Sequence, residues 1–328
     1  MTAGTIPHLG MGTAAIGNLY RPVTDNEARE TVTAAIAAGI GYFDTAPHYG
    51  FGLAERRLGD ALAEADPRGT AIISTKVGRL LVPTEASGER HGFVDADPLE
   101  PVFDYGADAI RRSHEASLGR LRRDRVEILL AHDLGRVTHC DAHPAHLRTF
   151  LDSGYAAMRA LRDSGAVDAI GIGVNEVAIC EELLDRVDLD IILLAGRHTL
   201  LDRDSATALF ETCARRGVRV IIGGPYNSGI LARDGIAKAT GLHYDYQPPD
   251  LDILARALRI EAICAGFGVR LPAAALQFPL RHSQVAAVIP GMVGADQVTA
   301  SVTRLATPIP DALWAALEEA LHQKEIPQ

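Results

Sequence analysis

Four polar residues stand where short apolar runs end: Asp44 after Tyr42-Phe43, Lys76 after Ala71 to Thr75, His132 after Val126 to Ala131, and Asn175 after Ala169 to Val174. Tyr49 follows Asp44 by five residues, in the segment leaving the same run. This set suits hydride transfer coupled to proton transfer. A carbonyl oxygen gains a proton as its carbon gains hydride, and alcohol oxidation reverses both. Tyrosine is a poor acid or base near neutrality, with an unperturbed pKa of about 10. An ammonium beside it, from Lys76, favours the phenolate and brings it nearer to working pH. Asp44 then holds Lys76 charged and oriented, and His132 donates a hydrogen bond to the reacting oxygen. One such residue at a strand end is ordinarily a solvated rim residue or a helix cap. Four in register on successive strands point to a site, with Tyr49 as the proton-transfer residue.

The elements that must position them alternate regularly. Gly12 to Ile16 reads as a first strand, and Thr24-Asp25-Asn26-Glu27 as a capping box opening a helix that Gly39 ends. Strands follow at Tyr42-Phe43, Ala71 to Thr75, Val126 to Ala131, Ala169 to Val174, Ile191 to Leu194, Val218 to Ile222 and Val285 to Ile289. Helical patterns separate them, among them Leu53 to Ala65, a face of Ile110, His114, Ser117, Leu118 and Leu121, and a run from Phe150 to Leu161 closed by Gly165. Later helices are expected near Glu176 to Arg186, Arg203 to Arg216 and Leu251 to Phe267. Strands apolar on both faces imply a parallel sheet covered by helices. Eight strand–helix units suit a closed α/β (β/α)8 TIM barrel, spanning residues 1–328 as a single domain. No G-x-G-x-x-G follows the first strand, which argues against a doubly wound dinucleotide fold. Three long loops, Val77 to Tyr105, Asp133 to Thr149 and Pro225 to Asp250, follow strands and so lie on the C-terminal face, where barrel active sites are built.

Composition narrows the function classes. The chain of 328 residues is 47% apolar and 23% charged, enough to fill one large core. A net charge of −10 and a pI near 5.6 leave no footprint for nucleic acid or an anionic membrane. No apolar run is long enough for a membrane span, and Met1 to Leu9 lacks the basic and apolar regions of a signal peptide, so a cytoplasmic location is expected. Cys140, Cys180, Cys213 and Cys264 are scattered and read as reduced thiols. His139, His143 and His146, with Cys140 and Asp141, match no standard zinc spacing; they read as a solvated loop, and no metal is expected.

The segment Gly41-Tyr42-Phe43-Asp44-Thr45-Ala46-Pro47-His48-Tyr49-Gly50 resembles the stretch of the aldo-keto reductase family that carries its catalytic Asp and Tyr. Ile73 to Val77 resembles that family's lysine strand and Leu130 to Asp133 its histidine strand. Ser164 to Val167, continuing through Ile170 to Asn175, resembles its approach to the nicotinamide carboxamide. The resemblance runs from Gly10 to about Leu305 and implies the family's tetrad at Tyr49, Lys76, Asp44 and His132. There are departures. The spacing from Gly50 to Gly59 is longer than in the common aldose-reductase pattern; Ala195 replaces a glutamine near the carboxamide; Gly223-Gly224 replaces an aromatic that stacks on the nicotinamide, with Tyr226 as the nearest substitute.

The resemblance implies a nicotinamide cofactor. Glycine-rich turns follow the seventh and eighth strands, the usual phosphate site of this barrel, and their backbone N–H groups can cradle a pyrophosphate. This nominates Asn175, Gly223, Gly224, Ser228, Gly229, Gly291 and Gln297. NADP-preferring members place Lys, Ser and Arg after the Ile-Pro pair, where this chain has Gly291, Met292 and Gln297. A 2′-phosphate needs cationic partners, so NAD is expected rather than NADP. Phe103-Asp104-Tyr105, Arg112-Ser113, Ser117-Leu118, His132-Asp133 and Asn227 to Leu231 resemble the aldose 1-dehydrogenase branch, which includes L-fucose, D-threo-aldose and L-galactose dehydrogenases. The implied reaction oxidises the C1 hemiacetal of an aldose to its lactone, with Tyr49 as base. Pyridoxal 4-dehydrogenase, which also oxidises a cyclic hemiacetal, is close to that branch. A generic aldehyde reductase and a cofactor-binding regulatory subunit are the other readings. His48 and Asp133 are placed to meet substrate hydroxyls or to hydrogen-bond within their loops. The oligomeric state stays open.

Overall fold

The computed structural model describes residues 6–322. Its strands are β1 (Met11–Gly12), β2 (Tyr42–Asp44), β3 (Ile72–Val77), β4 (Arg79–Pro83), β5 (Leu99–Phe103), β6 (Ile128–His132), β7 (Ala169–Val174), β8 (Ile191–Ala195), β9 (Arg219–Gly223) and β10 (Val285–Ile289). Eight of them form one parallel sheet in the order β1-β2-β3-β6-β7-β8-β9-β10. The last strand closes on the first: Gly10 N donates to Val288 O at 2.9 Å, Gly12 N to Pro290 O at 3.0 Å, and Val288 N to His8 O at 2.8 Å. The chain is therefore a (β/α)8 barrel.

Strand periodicity of two splits each apolar run between two cores. Ile128, Leu130, Ala169, Ile191, Leu193, Ile221, Ala287 and Ile289 pack with Tyr42 inside the barrel. Their neighbours Leu129, Ala131, Ile170, Ile172, Ile192, Val220 and Ile222 face the helices in a second, larger cluster. This parity positions the site. Asp44 lies two residues after Tyr42, His132 two after Leu130, and Ala195 two after Leu193, so each shares the inward face at the C-terminal rim.

Helices α1 (Asp25–Ala37), α2 (Leu53–Ala65) and α3 (Ala107–Leu121) cover the strands that carry Asp44 and Lys76. The capping box at Thr24 forms as expected: Glu27 N donates to Thr24 Oγ1 at 3.1 Å and Thr24 N to Glu27 Oε2 at 2.8 Å. Glu55 of α2 is fully buried, yet it accepts from Arg120 Nε of α3 at 2.6 Å and from Thr75 Oγ1 of β3 at 2.6 Å. That paired carboxylate ties both helices to the lysine strand.

Four expectations change. The first strand stops at Gly12, and Ala14–Gly17 is a 3-10 turn instead, ended by Asn18 at φ 71°. The segment expected as a loop between residues 77 and 105 contains an antiparallel hairpin, β4 with β5, in which Arg79 pairs with Phe103. The histidine segment is not a solvated loop, because Arg136–His139 and His143–Thr149 are short helices and His139 and His143 are buried. The helix expected from Phe150 opens as a π turn, Phe150–Gly154, where a Cβ on Gly154 would collide with Tyr105 O. Among the described residues, no helix is long and apolar enough to cross a membrane.

Candidate active site

Lys76, in β3, is 1% exposed. Its Nζ donates to Asp44 Oδ2 at 2.7 Å, to Thr45 O at 2.8 Å and to Tyr49 OH at 3.1 Å. Asp44 Oδ1 accepts from Ser74 Oγ at 2.7 Å, and Ser74 in turn meets Tyr42 OH at 2.9 Å. Room for the lysine stem comes from Gly173 of β7, where a Cβ would sit 3.1 Å from Lys76 Cε. Tyr49 is held by its backbone: Tyr49 N donates to Ala46 O at 3.0 Å, and Ala54 N at the start of α2 donates to Tyr49 O at 3.1 Å. The 3-10 turn that replaces the end of the first strand packs here, since a Cβ on Gly17 would stand 3.0 Å from Tyr49 O.

The electrostatics revise one expectation. Burial pushes the Tyr49 phenol well above its ordinary value, and the Asp44 carboxylate adds to the rise, followed by Tyr246 and Asp133. The Lys76 ammonium does not overcome this rise, since Asp44 at 2.7 Å already balances much of its charge. Burial also raises the Asp44 carboxyl, against the pull of Lys76 and Ser74. His132 and His48 are both held well below the usual imidazole range by burial and then by the Arg79 charge, so each is neutral at physiological pH. His132 Nδ1 is buried without a partner, while Nε2 stands 3.4 Å from Asp133 Oδ2.

These groups open on a cavity of about 760 Å³, with Arg79, Phe93, Phe103, His48 and Asp133 in its walls. A second cavity of about 320 Å³ adjoins it, and the two share Tyr20, Tyr49, Asn175, Leu193, Ala195 and Tyr246. Together they form one groove across the rim. Its far end runs over Gly12, Gly223, Gly224, Ser228, Gly229 and Gly291. A Cβ on Gly223 would come within 3.2 Å of Ala195 Cβ, and Gly224, Asn227, Ser228 and Gly229 all have positive φ. Asn227 Oδ1 is buried there without a partner. Elongated, and lined at its far end by glycine turns, the groove fits a dinucleotide. A hollow of about 470 Å³ on the opposite face, by Asp168, Asp188 and Asp190, holds none of these residues, and each of its three carboxylates is paired with an arginine.

One nomination lies elsewhere. Gln297 accepts from Val293 N at 3.0 Å and lines neither cavity. Met292, the residue after Gly291, is 1% exposed and its side chain belongs to the outer core. Tyr226 does line the groove, but its hydroxyl takes a hydrogen bond from Arg304 Nη1 at 3.1 Å, away from Tyr49. Tyr246 is one of three tyrosines shared by the two cavities, with Asn175 Nδ2 donating to its hydroxyl at 3.3 Å and its own N–H donating to Ser228 Oγ at 3.0 Å. Sequence reasoning missed Tyr246 and Arg79. Arg79 had a signal, three residues beyond Lys76, but the stretch read as a loop.

The comparisons agree with this geometry. The aldo/keto reductase family profile matches residues 8–322. A pyridoxal 4-dehydrogenase of Microbacterium luteolum is 39% identical over 96% of this chain and 94% of its own. A D-threo-aldose 1-dehydrogenase of a Pseudomonas species is 40% identical over the same shares. Among solved structures, an aldo-keto reductase from Bacillus halodurans in its holo form superposes with a TM-score of 0.71 at 25% identity, covering 96% of this chain and 92% of its own. The chain belongs to the aldo/keto reductase family and is an oxidoreductase that uses a nicotinamide cofactor, NAD or NADP.

Proposed function

We propose that this protein is an NAD-dependent dehydrogenase that oxidises the C1 hemiacetal of an aldose of the L-fucose type to its lactone, in the cytoplasm. The observation that carries the reading is the Lys76–Asp44–Tyr49 cluster opening on a roomy cavity that also holds His48, Arg79, His132 and Asp133, in a chain about 40% identical to an aldose 1-dehydrogenase. Asn175, Gly223, Gly224, Ser228, Gly229 and Gly291 would hold the cofactor, with Tyr246 packing beside it. When bound, oxidised NAD supplies the hydride acceptor. Tyr49 accepts the proton of the C1 hydroxyl, Lys76 and Asp44 fix the phenol oxygen, and neutral His132 donates an N–H to the reacting oxygen. NAD is favoured over NADP because the turn after β10 carries no cation, while Asp296 lies in the first turn of the helix that follows it.

Pyridoxal is the second reading. Phe93 and Phe103 in the cavity walls suit a flat heteroaromatic ring, and the pyridoxal 4-dehydrogenase relative is equally similar. Initial rates for L-fucose, D-arabinose and pyridoxal with NAD and NADP, and for an aromatic aldehyde with NADH and NADPH, decide between them. NADH formation with the sugars is expected. Faster NADPH oxidation with the aldehyde, or cofactor binding without turnover, would sink the proposal.

A further inference from the structure

Arg79 opens β4 immediately after Gly78, and it reaches back into the catalytic cavity rather than out to solvent. It is 6% exposed, its Nη2 meets Asp133 Oδ2, and its guanidinium carbon lies 4.8 Å from the Phe103 ring centroid. Asp133 is turned inward by a left-handed backbone, φ 49°, which a non-glycine residue adopts at a cost. That turn is pinned on both sides: Asp133 N donates to Gly173 O at 2.9 Å, and Tyr105 OH donates to His132 O at 2.6 Å.

The pair is incompletely satisfied for a purely structural ion pair. Both Arg79 and His132 approach the same oxygen, Oδ2, and Arg79 Nε is buried without any partner. A structural Arg–carboxylate pair at this depth ordinarily closes in two parallel bonds with its remaining hydrogens satisfied. Here Asp133 keeps an acceptor and Arg79 keeps donors, in a wall of the substrate cavity and beside His132. A hydroxyl can use both at once, donating to the carboxylate and accepting from the guanidinium. An anionic substituent cannot, because Asp133 already cancels the arginine's charge and would repel it.

We propose that Arg79 and Asp133 form the subsite for the hydroxyl adjoining the reacting carbon, which makes Arg79 a specificity-determining residue for neutral hydroxylated hemiacetals. The inference rests on the hemiacetal reading above, with His132 at the reacting oxygen. A group held by Asp133, 3.4 Å from His132 Nε2, falls next to the reacting centre. In an aldose it is the C2 hydroxyl.

The test pairs substrate with variant. Initial rates with NAD are measured for D-arabinose and its 2-deoxy counterpart, 2-deoxy-D-ribose. Wild type, Arg79→Met, Arg79→Lys and Asp133→Asn are compared, with NADH binding confirming that each variant is folded. Wild type should favour the hydroxylated partner by roughly 10- to 150-fold in kcat/KM, the range for a hydrogen bond to a charged group. The preference should collapse in Arg79→Met and Asp133→Asn, and Arg79→Lys should retain part of it. Equal wild-type rates with and without the hydroxyl, or a preference that survives both variants, overturns the subsite alone. No turnover of any hemiacetal overturns the functional reading and the subsite with it.

Discussion

Lys76→Met removes an ammonium that is 1% exposed and leaves the Asp44 carboxylate, 2% exposed, with Ser74 as its remaining side-chain donor. Breaking a buried ion pair from one side costs about 3–5 kcal/mol, because the surviving charge is stranded in a low dielectric. Unfolding entropy of about 2.1 cal/mol/K per residue gives this chain about 0.7 kcal/mol/K, so the melting temperature should fall by about 4–7 °C at about pH 8. The loss depends on pH. Burial already holds the folded Asp44 carboxyl above its ordinary value, and Lys76 pulls it down. Without Lys76 the folded carboxyl binds its proton more tightly still. A group whose folded pKa is raised keeps its full contribution below the unfolded value and loses it as pH rises through the folded one. The deficit of the variant should therefore be smallest near about pH 5 and grow towards about pH 8. Calorimetric melts of both proteins across that range read it directly, with turnover falling by about 10²- to 10⁴-fold in parallel. A deficit that stays constant with pH would refute the claim that Lys76 keeps a buried Asp44 ionised.

Two further outcomes follow from the site. Because the Tyr49 phenol is held well above its ordinary value, the fraction able to accept a proton rises with pH throughout the neutral range, so oxidation should accelerate well into the alkaline range, whereas carbonyl reduction should not; a plateau in kcat/KM for oxidation below about pH 8 would contradict this. Gly291 lines the cofactor end of the groove, is exposed, and offers a Cβ ordinary clearance, 3.8 Å from Ala15. Gly291→Lys should raise kcat/KM with NADP relative to NAD by roughly tenfold or more, the worth of one charge-assisted contact to a 2′-phosphate; an unchanged ratio would place that phosphate elsewhere.

What the sequence made legible was mostly local. The end of each apolar run marked the rim because strand parity carries the inward face from Tyr42 to Asp44 and from Leu130 to His132. Leu53–Ala65 could be bounded to the residue, since Leu58, Ala61 and Leu62 repeat at helical spacing after Gly52. The first strand was set too late because Gly12 to Ile16 is apolar enough to read as a strand; Asn18 in a left-handed conformation and the approach of Gly17 to Tyr49 turn it into a 3-10 turn. The β4–β5 hairpin was hidden because its residues are half-buried, it carries Pro83 and Pro101, and its partners are twenty residues or so apart. Tyr246 was out of reach for a different reason. Its position depends on Arg197 Nη2 holding Asp245 at 3.0 Å and on Ser228 capturing its N–H, contacts between loops that no periodicity encodes.

The charges of the site cancel in pairs, and that arrangement fixes where the reaction's charge must go. Lys76 is matched by Asp44 and Arg79 by Asp133, with His132 between them. Both cations face His132, and with its burial they keep the imidazole neutral, so it can donate one N–H but cannot serve as an acid that cycles near neutral pH. Asp44 is committed to three groups, Lys76, Ser74 and through it Tyr42, and exchanging its proton would disrupt all of them. Tyr49 alone has a hydroxyl that faces the cavity, contacts the lysine at 3.1 Å and is not locked into a second side-chain bond. On the proposed function, the proton that moves with the hydride passes through Tyr49. The same burial that makes its phenol slow to release a proton at rest makes the phenolate a strong base once formed, which favours taking the proton of a hemiacetal hydroxyl.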